Sequence, residues 1–233
     1  KLEKHKIIAI VPIKNHSSRI PNKNFKLFNG KPLYFWIIEK LLSINEIEKI
    51  IINSDSPKIL NNADLLNNAK IFIRKRKKNL VGDHVSVNKI ISDDIKDVDS
   101  QMYLMTHTTN PLIEVSTIIK CISEYKKKIK SKKFDSLFTV NKILDRLYDD
   151  NFNSINHKKY ELIRTQDLPN TFQENSNLYI FSKNSFKKNN SRLGARPYMY
   201  EMNQNESVDI DDFDNWYLAE SIYSKALKIK NTV

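Results

Sequence analysis

Two carboxylates, Asp209 and Asp211, stand two positions apart near the end of the chain. On a strand, residues at this spacing point to the same side, while Val208 and Ile210 would face the core. Two carboxylates held close together repel each other unless a cation lies between them. Such oxygen ligands suit Mg²⁺, which usually takes one or two carboxylates together with water and substrate phosphate. Taken alone, the pair is more typical of a strand edge whose acids cap the following helix.

A polar loop, residues 14–24, is the second stretch whose side chains could do chemistry. Its cations are Lys14, Arg19 and Lys23. Pro21 excludes a regular helix across the middle of the loop. Cationic donors of this kind form strong hydrogen bonds to phosphate oxygens. The loop is therefore a candidate site for an anionic substrate such as a nucleoside triphosphate.

A buried strand must position this loop. The run from Ile7 to Ile13 is almost continuously apolar and mostly β-branched, which predicts a strand covered on both faces in a parallel sheet. In open α/β sheets, ligands bind in the crevice beyond the carboxyl ends of the strands. The loop that follows Ile13 is therefore the first place to expect a ligand site.

Predicted helices and strands alternate along the rest of the amino-terminal half. A helix is predicted to begin at Pro32, and others cover 57–69, 84–96 and 117–129. The predicted strands cover 49–53, 70–73, 101–107 and 135–140. This order predicts an α/β fold with a right-handed, Rossmann-like, mostly parallel sheet and helices on both faces. The length suits one domain, residues 1–233.

The basic composition leaves three interpretations open. The 233 residues carry a formal net charge of +12, with a pI near 9.5, which is compatible with binding nucleic acid. Abundant lysine and asparagine with little glycine is also typical of proteins from AT-rich genomes. The charge would equally attract a small anionic substrate. No nucleic-acid-binding signature accompanies it, so we expect no nucleic-acid partner.

The apolar pattern and the cysteine content predict a soluble, cytoplasmic protein without a membrane partner. No apolar run is long enough to span a bilayer, and the amino-terminal KLEKHK lacks the apolar core of a signal peptide. The single cysteine, Cys121, cannot form an internal disulfide, which agrees with a reducing compartment.

Several motifs, in order, resemble those of the sugar-acid cytidylyltransferases, the family that contains acylneuraminate cytidylyltransferase (CMP-sialic acid synthetase). In the loop, the matching residues are Ser17, Arg19, Ile20, Pro21, Lys23 and Asn24. Lys14 stands where the family usually has Arg, Asn15-His16 where it has two small residues, and Ser18 where it has Lys. Three later segments also match: 107–112 resembles Gln-Pro-Thr-Ser-Pro-Leu, 164–169 resembles Arg-Gln-x-Leu-Pro, and 207–211 resembles Ser-x-Asp-Ile-Asp.

The resemblance spans Ile7 to Glu220 and implies both a fold and a reaction. The fold would be of the nucleotide-diphospho-sugar transferase type. The reaction would join CTP to a 2-keto sugar acid, releasing pyrophosphate and a CMP-sugar. The anomeric hydroxyl of the acid would attack the α-phosphorus of CTP. Such transfers depend mainly on positioning and on neutralising charge.

The resemblance also assigns roles to the nucleotide-binding and metal-binding residues. Lys14, Arg19, Lys23 and Asp211 would be catalytic. Asp209 and Asp211 would hold Mg²⁺. CTP would contact Ser17, Asn24, Arg74 and Asp83. Arg74 is chosen because relatives carry an Arg at the end of the strand predicted here at 70–73. Asp83 is equally well explained as the N-cap of the next helix.

The sugar acid would contact a second group of residues. These are His107, Thr108, Arg164, Gln166 and Asn175. His107 replaces the Gln of the family motif and Thr108 its first Pro, while a purely structural histidine is nearly as well supported at this place.

The resemblance implies a homodimer. The polar excursion after residue 140 would reach the partner subunit, which gives 141–176 as the dimerisation segment that completes the active site. Two alternatives stay open besides nucleic-acid binding. The same chemistry could act on a Kdo-type or other acid, or the chain could be a catalytically weakened relative that only binds nucleotide.

Overall fold

The structure, a computed structural model, describes residues 6–230. Residues 1–5 and 231–233, which belong to the expected domain and include most of KLEKHK, lie outside the described residues. The strands are β1 (Ile7–Ile13), β2 (Leu27–Phe28), β3 (Lys31–Pro32), β4 (Ile47–Ser54), β5 (Ile71–Lys75), β6 (Met102–Thr106), β7 (Ser136–Ile143), β8 (Thr171–Ser182) and β9 (Pro197–Glu201). The α-helices are α1 (Leu33–Ser43), α2 (Pro57–Leu60), α3 (Ala63–Leu66), α4 (Val87–Asp97), α5 (Val115–Lys130), α6 (Lys183–Asn189) and α7 (Phe213–Lys230).

Seven strands form one sheet in the order β5-β4-β1-β6-β8-β7-β9. The pairs β1/β4, β1/β6, β4/β5 and β7/β9 are parallel. β8 is antiparallel to both of its neighbours, β6 and β7. The predicted α/β fold with a mostly parallel sheet is therefore confirmed. β8 was not predicted as a strand, and it separates β6 from β7.

The predicted burial of β1 on both faces is confirmed. Ile7, Ala9, Val11 and Ile13 pack in a core layer with α1 and α5, and the alternate residues Ile8 and Ile10 pack in a second layer with α4 and α6. This two-residue alternation is the geometry of a strand. Helices on opposite faces thus hold the strand rigidly, and its carboxyl end delivers the polar loop.

Three predicted helices differ in detail from the structure. The helix predicted over 57–69 is two short helices, α2 and α3, because Asn62 caps the second one by accepting a hydrogen bond from the amide of Leu65 at 3.0 Å. The helix predicted at Pro32 begins at Leu33. The helix predicted over 84–96 begins at Val87 with Ser86 as its N-cap, so the N-cap assignment of Asp83 was wrong.

The excursion between β7 and β8 has little regular structure, as predicted, but both ends of the predicted segment, 141–143 and 171–176, belong to these two strands. Apart from one bridge between Tyr148 and Ser154 and a single turn at Thr165–Asp167, residues 144–170 form irregular backbone. The large apolar side chains exposed in this segment are Leu144, Tyr148, Phe152, Ile155, Tyr160, Leu162 and Ile163. Along residues 6–230, no helix is both long enough and apolar enough to cross a membrane.

Candidate functional site

A cleft of about 400 Å³ lies beyond the carboxyl ends of β1 and β6. The structure brings together here most of the predicted site residues, which are Lys14, Ser17, Arg19, Lys23, Asn24, Asp83, His107, Thr108, Asp209 and Asp211. These residues come from four separate stretches of the chain. The structure therefore places these residues beyond the carboxyl end of β1, where the ligand site was predicted.

The segment with the two carboxylates does not form a strand. Residues 207–211 have no ladder partner, which corrects the predicted strand. They are nevertheless anchored, because the amide of Ile210 donates to the carbonyl of Thr109 at 2.8 Å. Ile210 is fully buried, while Asp209 and Asp211 both line the cleft. The alternation expected of a strand thus survives in an extended segment.

Lys23 joins the polar loop to this segment. Its Nζ donates to the carbonyl of Ile210 at 2.6 Å and lies 3.6 Å from Oδ1 of Asp211. Burial lowers the pKa of Lys23, although the charges of Asp211 and Asp209 oppose this. Arg19 approaches the same carboxylate, with Nη2 at 3.2 Å from Oδ2 of Asp211. Cations and carboxylates thus face each other across the cleft.

Asp209 is a partly buried carboxyl group with unused hydrogen-bonding capacity. Burial raises its pKa, and a hydrogen bond from Thr109 partly offsets the effect. Its Oδ1 is buried and has no hydrogen-bond partner among the described residues. An unpaired buried carboxylate oxygen is costly unless a proton or a cation satisfies it.

The two carboxylates fit a magnesium ion in their chemistry. Within residues 6–230, no group of three or more His, Cys, Asp or Glu side chains could hold a metal ion. A cation at Asp209 and Asp211 would therefore take most of its ligands from water and phosphate, which is usual for Mg²⁺. The unpaired Oδ1 of Asp209 supplies the observation that supports this fit.

Asn24 fixes the beginning of the loop to the end of β6. It is buried, its Nδ2 donates to the carbonyl of Lys14 at 2.9 Å, and its Oδ1 accepts from the hydroxyl of Thr108 at 2.6 Å. Lys14 in turn lies 3.3 Å from Asp83, and both of these side chains are partly or fully open to solvent. Asn24 and Thr108 therefore shape the floor of the cleft.

Arg74, predicted to contact CTP, lies outside the cleft lining. Its guanidinium pairs with three carboxylates of α4, those of Asp93, Asp94 and Asp97. Arg76, two residues later, lines the cleft instead. The sequence prediction chose the first arginine because the strand was taken to end at Ile73, whereas β5 continues to Lys75.

Arg76 is almost fully buried and rigidly held. Its Nε donates to Oδ1 of Asn53 at 2.9 Å, and its Nη2 donates to the carbonyl of Asn53 at 2.8 Å. Nη1 lies 3.8 Å from Asp55, whose carboxylate also accepts a hydrogen bond from the amide of Asn15 at 2.9 Å. Arg76 and the polar loop therefore share an anchor at the end of β4.

The structure places Asn175 beside the cleft wall instead of in its lining. Oδ1 of Asn175 accepts from the hydroxyl of Thr139 at 2.7 Å, and Nδ2 donates to Oδ1 of Asn141 at 2.9 Å. Asn141 donates onward to the hydroxyl of Ser207 at 2.7 Å. Asn175 is thus linked to the carboxylate segment through Asn141.

Ser176 lines the cleft in place of Asn175, at a φ of +56°. This left-handed conformation favours glycine. Arg164 and Gln166 lie in the excursion and are not among the residues that line this cleft, and Arg164 pairs with Asp167 at 2.8 Å.

Arg76, Thr109 and Ser176 also line the cleft, together with the apolar side chains of Val85, Val87 and Ile90. None of these was among the predicted site residues. Nothing local distinguished Arg76 from the other cations of the run at 74–78.

His107 faces the cleft as a neutral imidazole. Burial lowers its pKa to about 3, and the charges of Arg192 and Lys23 act in the same direction. The ring therefore carries no charge near neutral pH. A neutral histidine can donate one hydrogen bond and accept another.

Comparison with known proteins defines the class to which this fold and cleft belong. Residues 8–231 match the sequence profile of the Cytidylyltransferase family. The chain belongs to this family.

Individual relatives are similar over most of the chain. It is 25% identical over 222 residues to the N-acylneuraminate cytidylyltransferase of Streptococcus agalactiae serotype III, covering 91% of this chain and 52% of that protein. It is 26% identical over 230 residues to the pseudaminic acid cytidylyltransferase of Campylobacter jejuni, covering 94% and 96%. The chain thus spans about half the length of the streptococcal relative.

A solved structure shares the fold. A CMP:2-keto-3-deoxy-manno-octonic acid synthetase in complex with CTP superimposes with a TM-score of 0.65, at 12% identity, covering 95% of this chain and 99% of that one. The expected nucleotide-diphospho-sugar transferase type of fold agrees with this likeness.

Proposed function

We propose that the protein is a cytidylyltransferase that joins CTP to a 2-keto sugar acid of the nonulosonic type, giving a CMP-sugar and pyrophosphate. One observation carries the proposal: the loop cations Lys14, Arg19 and Lys23 share one cleft with the carboxylates Asp209 and Asp211. Membership in the family and the names of the two relatives support the choice of CTP and of a sialic-type acid.

The cations would bind and neutralise the triphosphate. Lys14, Arg19 and Lys23 would contact its phosphate oxygens and stabilise the pyrophosphate as it leaves, and Ser17 would add a hydrogen bond. Arg76, instead of Arg74, would complete the nucleotide site from the end of β5, because Arg76 is among the residues that line the cleft. Asn24 and Asp83 would contact the base or the ribose.

The two carboxylates would bind a metal ion close to the reacting atoms. Asp209 and Asp211 would hold Mg²⁺, and a bound magnesium ion supplies neutralisation of phosphate charge and lowers the pKa of a coordinated hydroxyl. The C2 hydroxyl of the acid would attack the α-phosphorus, the bond to the β-phosphate would break, and the hydroxyl proton would pass to water. Lys23, bonded to Ile210, would keep the phosphate chain aligned with the carboxylates.

The sugar acid would lie against His107 and Thr108. The protein is proposed to act as a homodimer, in which 141–176 meets the partner subunit. The exposed apolar side chains of this segment support that proposal, because a patch of this kind marks an interaction surface. Arg164 and Gln166 would then complete the partner's sugar site.

The test is pyrophosphate release from CTP and Mg²⁺ across a panel of nonulosonic and octulosonic acids, including Kdo. ATP, GTP and UTP serve as nucleotide controls. We expect release that requires CTP and one nonulosonic acid. Release only with Kdo would assign the octulosonic alternative. No pyrophosphate release with any acid, while calorimetry still detects CTP binding, would overturn the catalytic proposal in favour of a nucleotide-binding relative.

A further inference from the structure

The ring of His107 is oriented by an arginine that the proposed reaction does not use. Nε2 of His107 lies 3.2 Å from Nη1 of Arg192. A guanidinium offers only donors, so Nε2 must be the acceptor in this hydrogen bond. A neutral imidazole that accepts at Nε2 carries its proton on Nδ1. The contact therefore selects one of the two neutral tautomers.

The alternative charged state is disfavoured by the same surroundings. Burial is the main cause of the lowered pKa of His107, and the cations Arg192 and Lys23 add to it. An imidazolium could not accept a hydrogen bond from Arg192, because both ring nitrogens would then be donors. Near neutral pH, the ring is left with a single donor at Nδ1.

Strand β8 holds the guanidinium of Arg192 in place. Its Cζ lies 3.6 Å from the ring centroid of Tyr179, and its Nη2 lies 3.7 Å from Oε1 of Glu174. The hydroxyl of Tyr179 donates to the same Glu174 oxygen. Burial raises the pKa of Tyr179 to about 12, so this hydroxyl remains a donor. The stacked arginine is therefore fixed from two sides.

The backbone around Arg192 is fixed as well. Its amide donates to Oδ1 of Asn88 at 3.2 Å. Gly194 adopts a φ of +67°, and a Cβ there would lie 2.5 Å from Oγ of Ser185 and 2.8 Å from Oγ of Ser136. Only glycine fits this turn without displacing its neighbours. The turn thus carries Arg192 to a defined position over β8.

We propose that Arg192 is a positioning residue that holds His107 as a neutral Nδ1–H donor facing an oxygen acceptor of the sugar acid. The inference rests on the proposed function for the identity of the ligand. Among the described residues, the only hydrogen bond of the His107 ring is the one with Arg192, so Nδ1 is left for the ligand. Such a donor selects a carboxylate, carbonyl or hydroxyl oxygen. The neighbouring cations Arg192 and Lys23 disfavour an ammonium substituent at the same place.

The tautomer can be tested without any activity. Long-range proton–nitrogen NMR spectra of the nitrogen-labelled full chain distinguish the two neutral tautomers and the imidazolium, and His107→Gln assigns the signals. We expect the Nδ1–H tautomer at neutral pH in the wild-type protein. The Nε2–H tautomer or a charged ring would overturn the inference, whatever the panel of acids shows.

The positioning role is tested with Arg192→Met and a matched Arg196→Met control, because Arg196 is an exposed arginine in the same turn. Arg192→Met should give mixed tautomers and raise KM for the acid by roughly tenfold, the value of about one hydrogen bond. KM for CTP should stay constant. Arg192→Lys, which keeps a cationic donor, should restore the tautomer. An unchanged spectrum in Arg192→Met would overturn the role of Arg192.

If Arg192→Met gives the expected spectra but leaves KM for the acid unchanged, the contact between His107 and the acid is refuted. If the wild-type protein releases no pyrophosphate with any acid of the panel, the proposed function is refuted, and the tautomer result is unaffected. If Arg192→Met does not fold, the wild-type and Arg192→Lys spectra still decide the inference.

Discussion

Lys23 and Asp211 connect the two stretches from which the site is built, with Nζ of Lys23 lying 3.6 Å from the carboxylate of Asp211. The same Nζ donates to the carbonyl of Ile210 at 2.6 Å. One ammonium group therefore sets the separation between the loop cations and the carboxylates. A polyphosphate bound by the loop would be held at a fixed distance from the proposed metal ligands.

Removal of this ammonium group should strongly reduce turnover. Lys23→Met removes a positioned cation from a water-poor site, where such groups contribute most, and pyrophosphate release should fall by about 100-fold or more. Lys26→Met is the matched control, because Lys26 is exposed and its Nζ lies over the rings of Phe213 and Trp216. The control should retain nearly all activity. Comparable losses in both variants would refute a specific role for Lys23.

Asp209 should promote the reaction while lowering the stability of the folded protein. Burial raises the pKa of Asp209 in the folded state, so ionisation of this carboxyl group lowers the free energy of unfolding. This loss is absent below the pKa of the group in the unfolded chain and grows as the pH rises through its pKa in the folded protein. Asp209→Asn should therefore melt at a higher temperature than the wild type near neutral pH without Mg²⁺. The gain should disappear in acid.

The same Asp209→Asn variant should lose pyrophosphate release by about 100-fold or more, since one of the two proposed magnesium ligands is removed. Thermal melts with CTP should show stabilisation by Mg²⁺ in the wild type but not in the variant. Asp214→Asn is the control, because this side chain is exposed. A destabilised Asp209→Asn at neutral pH would contradict the account of its burial.

Two arginines near the end of β5 should separate nucleotide binding from stability. Arg76→Lys loses the forked contacts to Asn53, so KM for CTP should rise by about tenfold or more. Arg74→Lys instead weakens the pairing with Asp93, Asp94 and Asp97, and should lower the free energy of unfolding with little change in KM. Steady-state kinetics and urea unfolding of both variants check this. The reverse assignment of effects would restore Arg74 to the nucleotide site.

Local patterns predicted much of the fold and the site. β1, the polar loop and the Asp209–Asp211 pair each carry their signal within a few residues, and the structure places them at one sheet edge. The position of β8 could not be predicted this way, because its pairing partners are distant in the chain. Arg76 could not be chosen over Arg74 either, since the choice depends on where β5 ends.

The excursion should mediate a dimer. Leu162→Glu places a charge on a side chain that is 89% exposed in the single chain, so the folded monomer should tolerate it while association weakens. Light scattering should show a dimer for the wild type and a concentration-dependent shift to monomer for the variant. Lys158→Glu, an exposed polar position in the same segment, is the control. A wild-type monomer at high concentration would refute the dimer.

The most direct test of attack by the sugar acid on CTP follows the C2 hydroxyl oxygen of the acid. The accepted acid is equilibrated in heavy-oxygen water, which labels its C2 hydroxyl through the keto form, and is then converted with unlabelled CTP. Mass spectrometry should find the heavy oxygen in the bridge between C2 and the phosphorus of the CMP-sugar, with none in the released pyrophosphate. A CMP-sugar without the label, or pyrophosphate release that yields only free CMP, would contradict attack by the sugar acid on the α-phosphorus.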